Sequence, residues 1–153
     1  MEQQSLLESI DLSKPWDHPD NRHAHSQTPT AYQCPSCDLE DTHTIYVGVV
    51  GEDCVFHPTR GRQLEEISDG TGNTIFVIEV DVDSAVNWMC PDDVGLRFLT
   101  TKLGPNSNTA HVGGIQAGLV DGGSRFFSTR SSPNALRAMT TIAGGEYVEN
   151  LAE

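Results

Sequence analysis

The stretch from His111 to Phe127, HVGGIQAGLVDGGSRFF, leaves the chain few courses to follow. Ile115 to Val120 is an apolar run, Asp121-Gly122-Gly123 is a turn, and Arg125-Phe126-Phe127 returns. Asp-Gly suits a tight hairpin because glycine reaches positive φ without steric cost and the turn matches strand twist. The reading is a β-hairpin with His111 at its opening and Asp121-Gly122 at its tip. It commits this end of the chain to an antiparallel sheet.

The remainder agrees with a sheet-based domain. At 153 residues the chain is the size of a single domain, 1–153, large enough to bury a core. Hydrophobic residues make up 37% and aromatics 7%, with 14 glycines and 8 prolines, which favours turns and short strands over a helical bundle. The net charge of −13 repels phosphate backbones and anionic lipid, so neither nucleic acid nor a membrane surface is expected as a partner. No apolar run is long enough to span a bilayer. MEQQSLLESIDLSKPW lacks the basic and apolar regions of a signal peptide, so the chain as written is expected in the cytoplasm.

Leu6, Leu7 and Ile10 have helical spacing and predict a short amphipathic helix over Ser5 to Ile10. Lys14 to Ala31 reads as a surface loop. Thr44 to Val50 and Thr74 to Val80 read as strands apolar on both faces, hence interior to a sheet. In the second, Phe76, Ile78 and Val80 are assigned one face, Ile75 and Val77 the other. A helical turn is expected at Gln63 to Ile67, with short strands at Trp88-Met89 and Arg97 to Thr101. Ser132-Pro133 begins a last helix that turns Leu136, Met139, Thr140 and Ile142 inward and stops at Gly144-Gly145. The fold class is therefore α+β: an antiparallel sheet of four to six strands, short helices at both ends and long loops.

The segments IDLSKPWDHPDNR, YQCPSC, YVGVVG, LEEISDGTGNTIFVIEV, AVNWMCPDD and LRAMTTIAGGE occur in that order before and after the hairpin. With the H-x9-D-G pattern of His111, Asp121 and Gly122, this succession resembles a pseudopilin-like, prepilin-type family. That family is largely planctomycete and is called domain of unknown function 1559. The resemblance implies a pseudopilin-like sheet and a setting outside the cytoplasmic membrane, in the cell envelope, and it supplies no activity. Members carry LEQQ well inside the chain, whereas Met1-Glu2-Gln3-Gln4 stands at the start here. A chain lacking the N-terminal anchor helix is the expectation. Such a chain would have an apolar groove on the sheet and a tendency to self-associate.

Cys34, Cys37, Cys54 and Cys90 allow three pairings. The exported context implied by the resemblance favours disulfides among them over free thiols, and free thiols over zinc. Cys34-Pro-Ser-Cys37 has the spacing of half a zinc site, but no second C-x2-C follows. Asp69-Gly70-Thr71-Gly72-Asn73-Thr74 resembles the start of a calcium loop yet fails the EF-hand pattern. Asp69, Asn73, Asp81 and Asp83 are the weak calcium candidates, against a plain turn at Asp69, Gly70 and Asn73. His18, His23 and His25 share an acidic stretch with no element to fix them. Glu79 interrupts an apolar strand and needs a partner, for which Arg97, Arg125 and His111 are the candidates. His111 reads as a structural pin, bonding a carbonyl across the turn or pairing with Glu79. No nucleophile elbow, phosphate loop or dinucleotide fingerprint is present, and no enzyme is indicated. A non-enzymatic structural or interaction domain is expected, acting through self-association or protein partners without a cofactor. The alternative is a small divalent-metal module, with calcium at the acidic loops or zinc at the cysteines.

Overall fold

The computed structural model describes residues 3–95, 104 and 106–145. The strand expected at Arg97 to Thr101 lies outside the described residues. The centre is a five-stranded sheet in the order β5-β2-β3-β6-β7, an α+β arrangement. Its strands are β2 (Tyr46–Val50), β3 (Ile75–Glu79), β5 (Val94–Gly95), β6 (Gly114–Leu119) and β7 (Ser124–Ser128). A two-stranded ladder joins β1 (His43–Thr44) to β4 (Val86–Asn87), so the short strand expected at Trp88-Met89 forms two residues earlier, and Trp88-Met89 is a turn. All pairings in the main sheet are antiparallel except β2 with β5, which is parallel.

The apolar runs supply the core by alternation. Val47 pairs with Ile78, Ile78 with Ala117, and Ile115 with Phe127, and all five are buried. β3 departs from simple period two. A register shift between Ile75 and Val77 buries Ile75 completely while Phe76 is only half-buried. The face assignment from sequence is thus corrected at Ile75 and Phe76, because a bulge inserts a residue and swaps the faces beyond it.

The hairpin is formed as its sequence dictates. Gly122 has φ +88°, its N–H donates to Leu119 O at 2.9 Å, and Asp121 Oδ1 accepts from Gly123 N–H at 2.8 Å. After it, the helix α3 (Pro133–Ala138, following the helices α1, Gln4–Glu8, and α2, Arg22–His25) closes the core with Leu136. Met139, Thr140 and Ile142 are buried as well, but they sit in the turn after the helix, which ends well before Gly144. Ser132 stands at the N-cap without a capping side-chain bond.

Two connections are more ordered than their composition implies. Within the segment read as a loop, Asn21 is fully buried and knots the chain. Its Oδ1 accepts from Asp11 N–H at 2.8 Å, and its Nδ2 donates to Asp11 O and Pro15 O. The turn expected near Gln63 is a 3-10 turn, Leu64–Glu66, opened by a Gln63/Glu66 capping box. Arg60 is the first of several donors, with Gln63 N–H and Arg62, that hold the Glu66 carboxyl well below the usual carboxylate range. By contrast α1 is one short helix with no buried residue, and Leu7 is 52% exposed, so the amphipathic packing expected there is absent.

Candidate functional site

Three segments far apart in sequence converge at one end of the sheet. β3 turns Glu79 away from the core face, opposite Tyr46 on β2. The turn Cys34-Pro35-Ser36-Cys37 packs over that pair, and His111 reaches it from just before β6. Glu79 is 3% exposed and Cys34 5%. His111 Nε2 lies 3.1 Å from Glu79 Oε1, while Glu79 Oε2 accepts from Gln116 N–H at 2.6 Å. The ligand atoms of Cys34, Glu79 and His111 all lie within 4.8 Å of one another. Among the described residues this is the one place where three His, Cys, Asp or Glu side chains converge so closely.

Two further groups complete the cluster. Tyr46 stands beside Cys34, and burial first, then that neighbour, pushes the phenol up from its ordinary value. Cys37 neighbours Cys34; burial, then that neighbour, pushes its thiol up to about 11. A cleft of about 350 Å³ opens beside the two cysteines, with Leu39, Asp38 and His43 among its walls. Chemically the arrangement is a buried acid, an imidazole and two thiols. Of the partners considered for Glu79, His111 is the one in contact. Arg125 is directed to the Met139 sulfur instead, and Arg97 lies outside the described residues.

The acidic loops are built for another purpose. Asp69 Oδ2 accepts from Gly144 N–H at 2.7 Å and Oδ1 from Gly145 N–H at 3.1 Å. Asn73 Nδ2 donates to Asp69 O, and Gly70 takes φ +93° in the turn between them. Asp121 N–H reaches Thr71 O at 3.2 Å. The DGTGNT turn, the hairpin tip and the Gly-Gly turn therefore form one corner. Asp83 accepts from Asn108 at 3.1 Å, and Asp81 precedes a 3-10 turn without capping it. Of the residues read as calcium candidates, Asp69, Asp81 and Asp83 belong to no close group of three acidic, His or Cys side chains among the described residues, and both Asp69 oxygens accept from backbone amides.

The histidines of the early segment are also dispersed. His18 accepts from Asp20 N–H, His23 contacts Gln27, and His25 meets Trp16 edge-on. The expected disulfides are absent, since all four cysteines carry free thiols. Cys54 is fully buried, its thiol pushed up to about 11 by burial and by Asp53, and Cys90 lies among Asp92, Asp17 and Asp93. Tyr46 and the Gln116 amide are members of the cluster that sequence reasoning missed. Tyr46 carried a usable signal, because antiparallel pairing of the two apolar runs sets it opposite Glu79. Comparison of the chain with family models, curated proteins and solved structures finds no match.

Proposed function

We propose that the chain is a pseudopilin-like, non-enzymatic structural domain that works by associating with protein, first of all with a second copy of itself. The segments that resemble the family are spent on holding the fold, and this observation carries the reading. Asp69 fastens the last Gly-Gly turn, Asp121 caps the hairpin, and His111 meets Glu79 beneath β6. A signature used in this way supports an architectural role.

The association surface follows from the sheet edge. Among the described residues β7 pairs on one side alone, leaving the outer backbone groups of Ser124–Ser128 available to another strand. Phe126, at the centre of β7, is 44% exposed on the face away from the core, and Phe56 on the same face is 41% exposed. An antiparallel, two-fold pairing of β7 with its copy would set the two Phe126 rings against one another. The strand holds Arg125 and no acid, so it is where two chains of net charge −13 repel least.

Sedimentation velocity across protein concentration and salt tests this reading. The expected result is a reversible dimer, strengthened by salt as charge is screened, and lost in Phe126→Asp. A monomer at every concentration and salt would overturn self-association through β7.

A further inference from the structure

We propose that Cys34, Glu79 and His111 form the core of a zinc-class transition-metal site, with the Cys37 thiol placed as its fourth ligand. The argument stands apart from the role of β7. It begins with geometry: three donor atoms from three separate segments lie within 4.8 Å of one another, two of them on buried side chains. The 3.1 Å between His111 Nε2 and Glu79 Oε1 is close to the separation of two ligand atoms sharing one tetrahedral ion, each about 2.0–2.2 Å from the metal.

The donor set selects the metal. Thiol sulfur, imidazole nitrogen and carboxylate oxygen together suit a borderline-soft divalent ion. Calcium and magnesium prefer an all-oxygen shell of six or more, which this cluster does not offer. The turn Cys34-Pro35-Ser36-Cys37 has the spacing by which zinc knuckles present two sulfurs, and here both cysteines line one cleft. The second pair of ligands, sought in sequence as another C-x2-C, comes instead from β3 and from the residue that opens the hairpin.

A supporting contact fits the same role. Gln116 N–H holds Glu79 Oε2 at 2.6 Å, fixing the carboxylate with its other oxygen toward His111. Binding would displace a proton from each thiol onto solvent and place two thiolates and one carboxylate around a doubly charged ion. The His111 side chain is 28% exposed, which leaves a way in from solvent.

The test uses the full chain, reduced and metal-free, titrated with zinc and, for its visible spectrum, with cobalt(II). The expected results are one equivalent bound, thiolate-to-cobalt absorption with the intensity of a tetrahedral site, and a melting temperature raised by zinc and restored by chelator. Calcium should leave the melting temperature unchanged. Cys37→Ser and His111→Gln should each weaken zinc at least about tenfold. Should a variant fail to fold, zinc-dependent protection from alkylation, mapped by peptide mass, reads the same site in the unmodified chain. Cys34 and Cys37 should be protected by zinc, with no zinc effect at Cys54 and Cys90. Absence of stoichiometric binding, binding untouched by both substitutions, or protection that spares Cys34 and Cys37 would each overturn the proposal.

Discussion

Glu79 is the residue on which the most depends. A carboxylate in an apolar strand, 3% exposed, persists only if its oxygens are occupied, and both are. Gln116 N–H takes one and His111 the other, so the opening of the hairpin is tied to the strand that precedes it in the sheet. Removing the imidazole leaves Oε1 buried without that partner. His111→Ala should therefore destabilise the chelator-treated protein by about 1–3 kcal/mol, the range for an orphaned buried polar group. Urea unfolding measures it. Glu79→Gln, which keeps an acceptor for Gln116 N–H, should cost less than His111→Ala. A His111→Ala protein as stable as the parent would mean that the contact does not hold the hairpin.

At the scale of elements, the outer sheet face is shaped by glycines under aromatic rings. A Cβ on Gly114 would lie 2.3 Å from both Phe126 Cζ and Phe127 O, one of them backbone that cannot yield. At Gly118 it would lie 3.3 Å from Phe76 Cε1. Gly114→Ala should thus force β6 from β7 and cost about 2–3 kcal/mol or more, as overpacking does, whereas exposed Gly61→Ala, with open space around it, should be near neutral. Thermal unfolding of the two variants side by side checks the contrast. The hairpin was legible because Asp121-Gly122 encodes its own turn. β2 and the burial of Leu136, Met139 and Ile142 were legible for a similar reason, since local period and burial agree. Ile75 and Phe76 were misassigned because a bulge leaves no mark in hydrophobic alternation. The Asn21 knot was missed because its Asp11 and Pro15 partners lie in a stretch without periodicity, and the parallel β2–β5 pair because it joins segments remote in sequence. The same holds for the cysteine turn, whose partners on β3 and before β6 no local spacing could announce.

For the molecule as a whole, the two corners fix opposite needs of one sheet. At one, Asp69, Thr71 and Asp121 bind the hairpin tip and the last turn to the start of β3. At the other, Glu79, His111 and the cysteine turn close the far end of β3. No described helix is long and apolar enough to cross a membrane. The central claim is that the signature segments are structure. Native-state hydrogen exchange tests it most directly, read at the amides of Gln116, Asp121 and Gly144. The account predicts that all three exchange as slowly as the central strands, opening only with global unfolding. Rapid exchange at these amides, with β2 and β3 still protected, would contradict it and mark the corners as open, accessible sites.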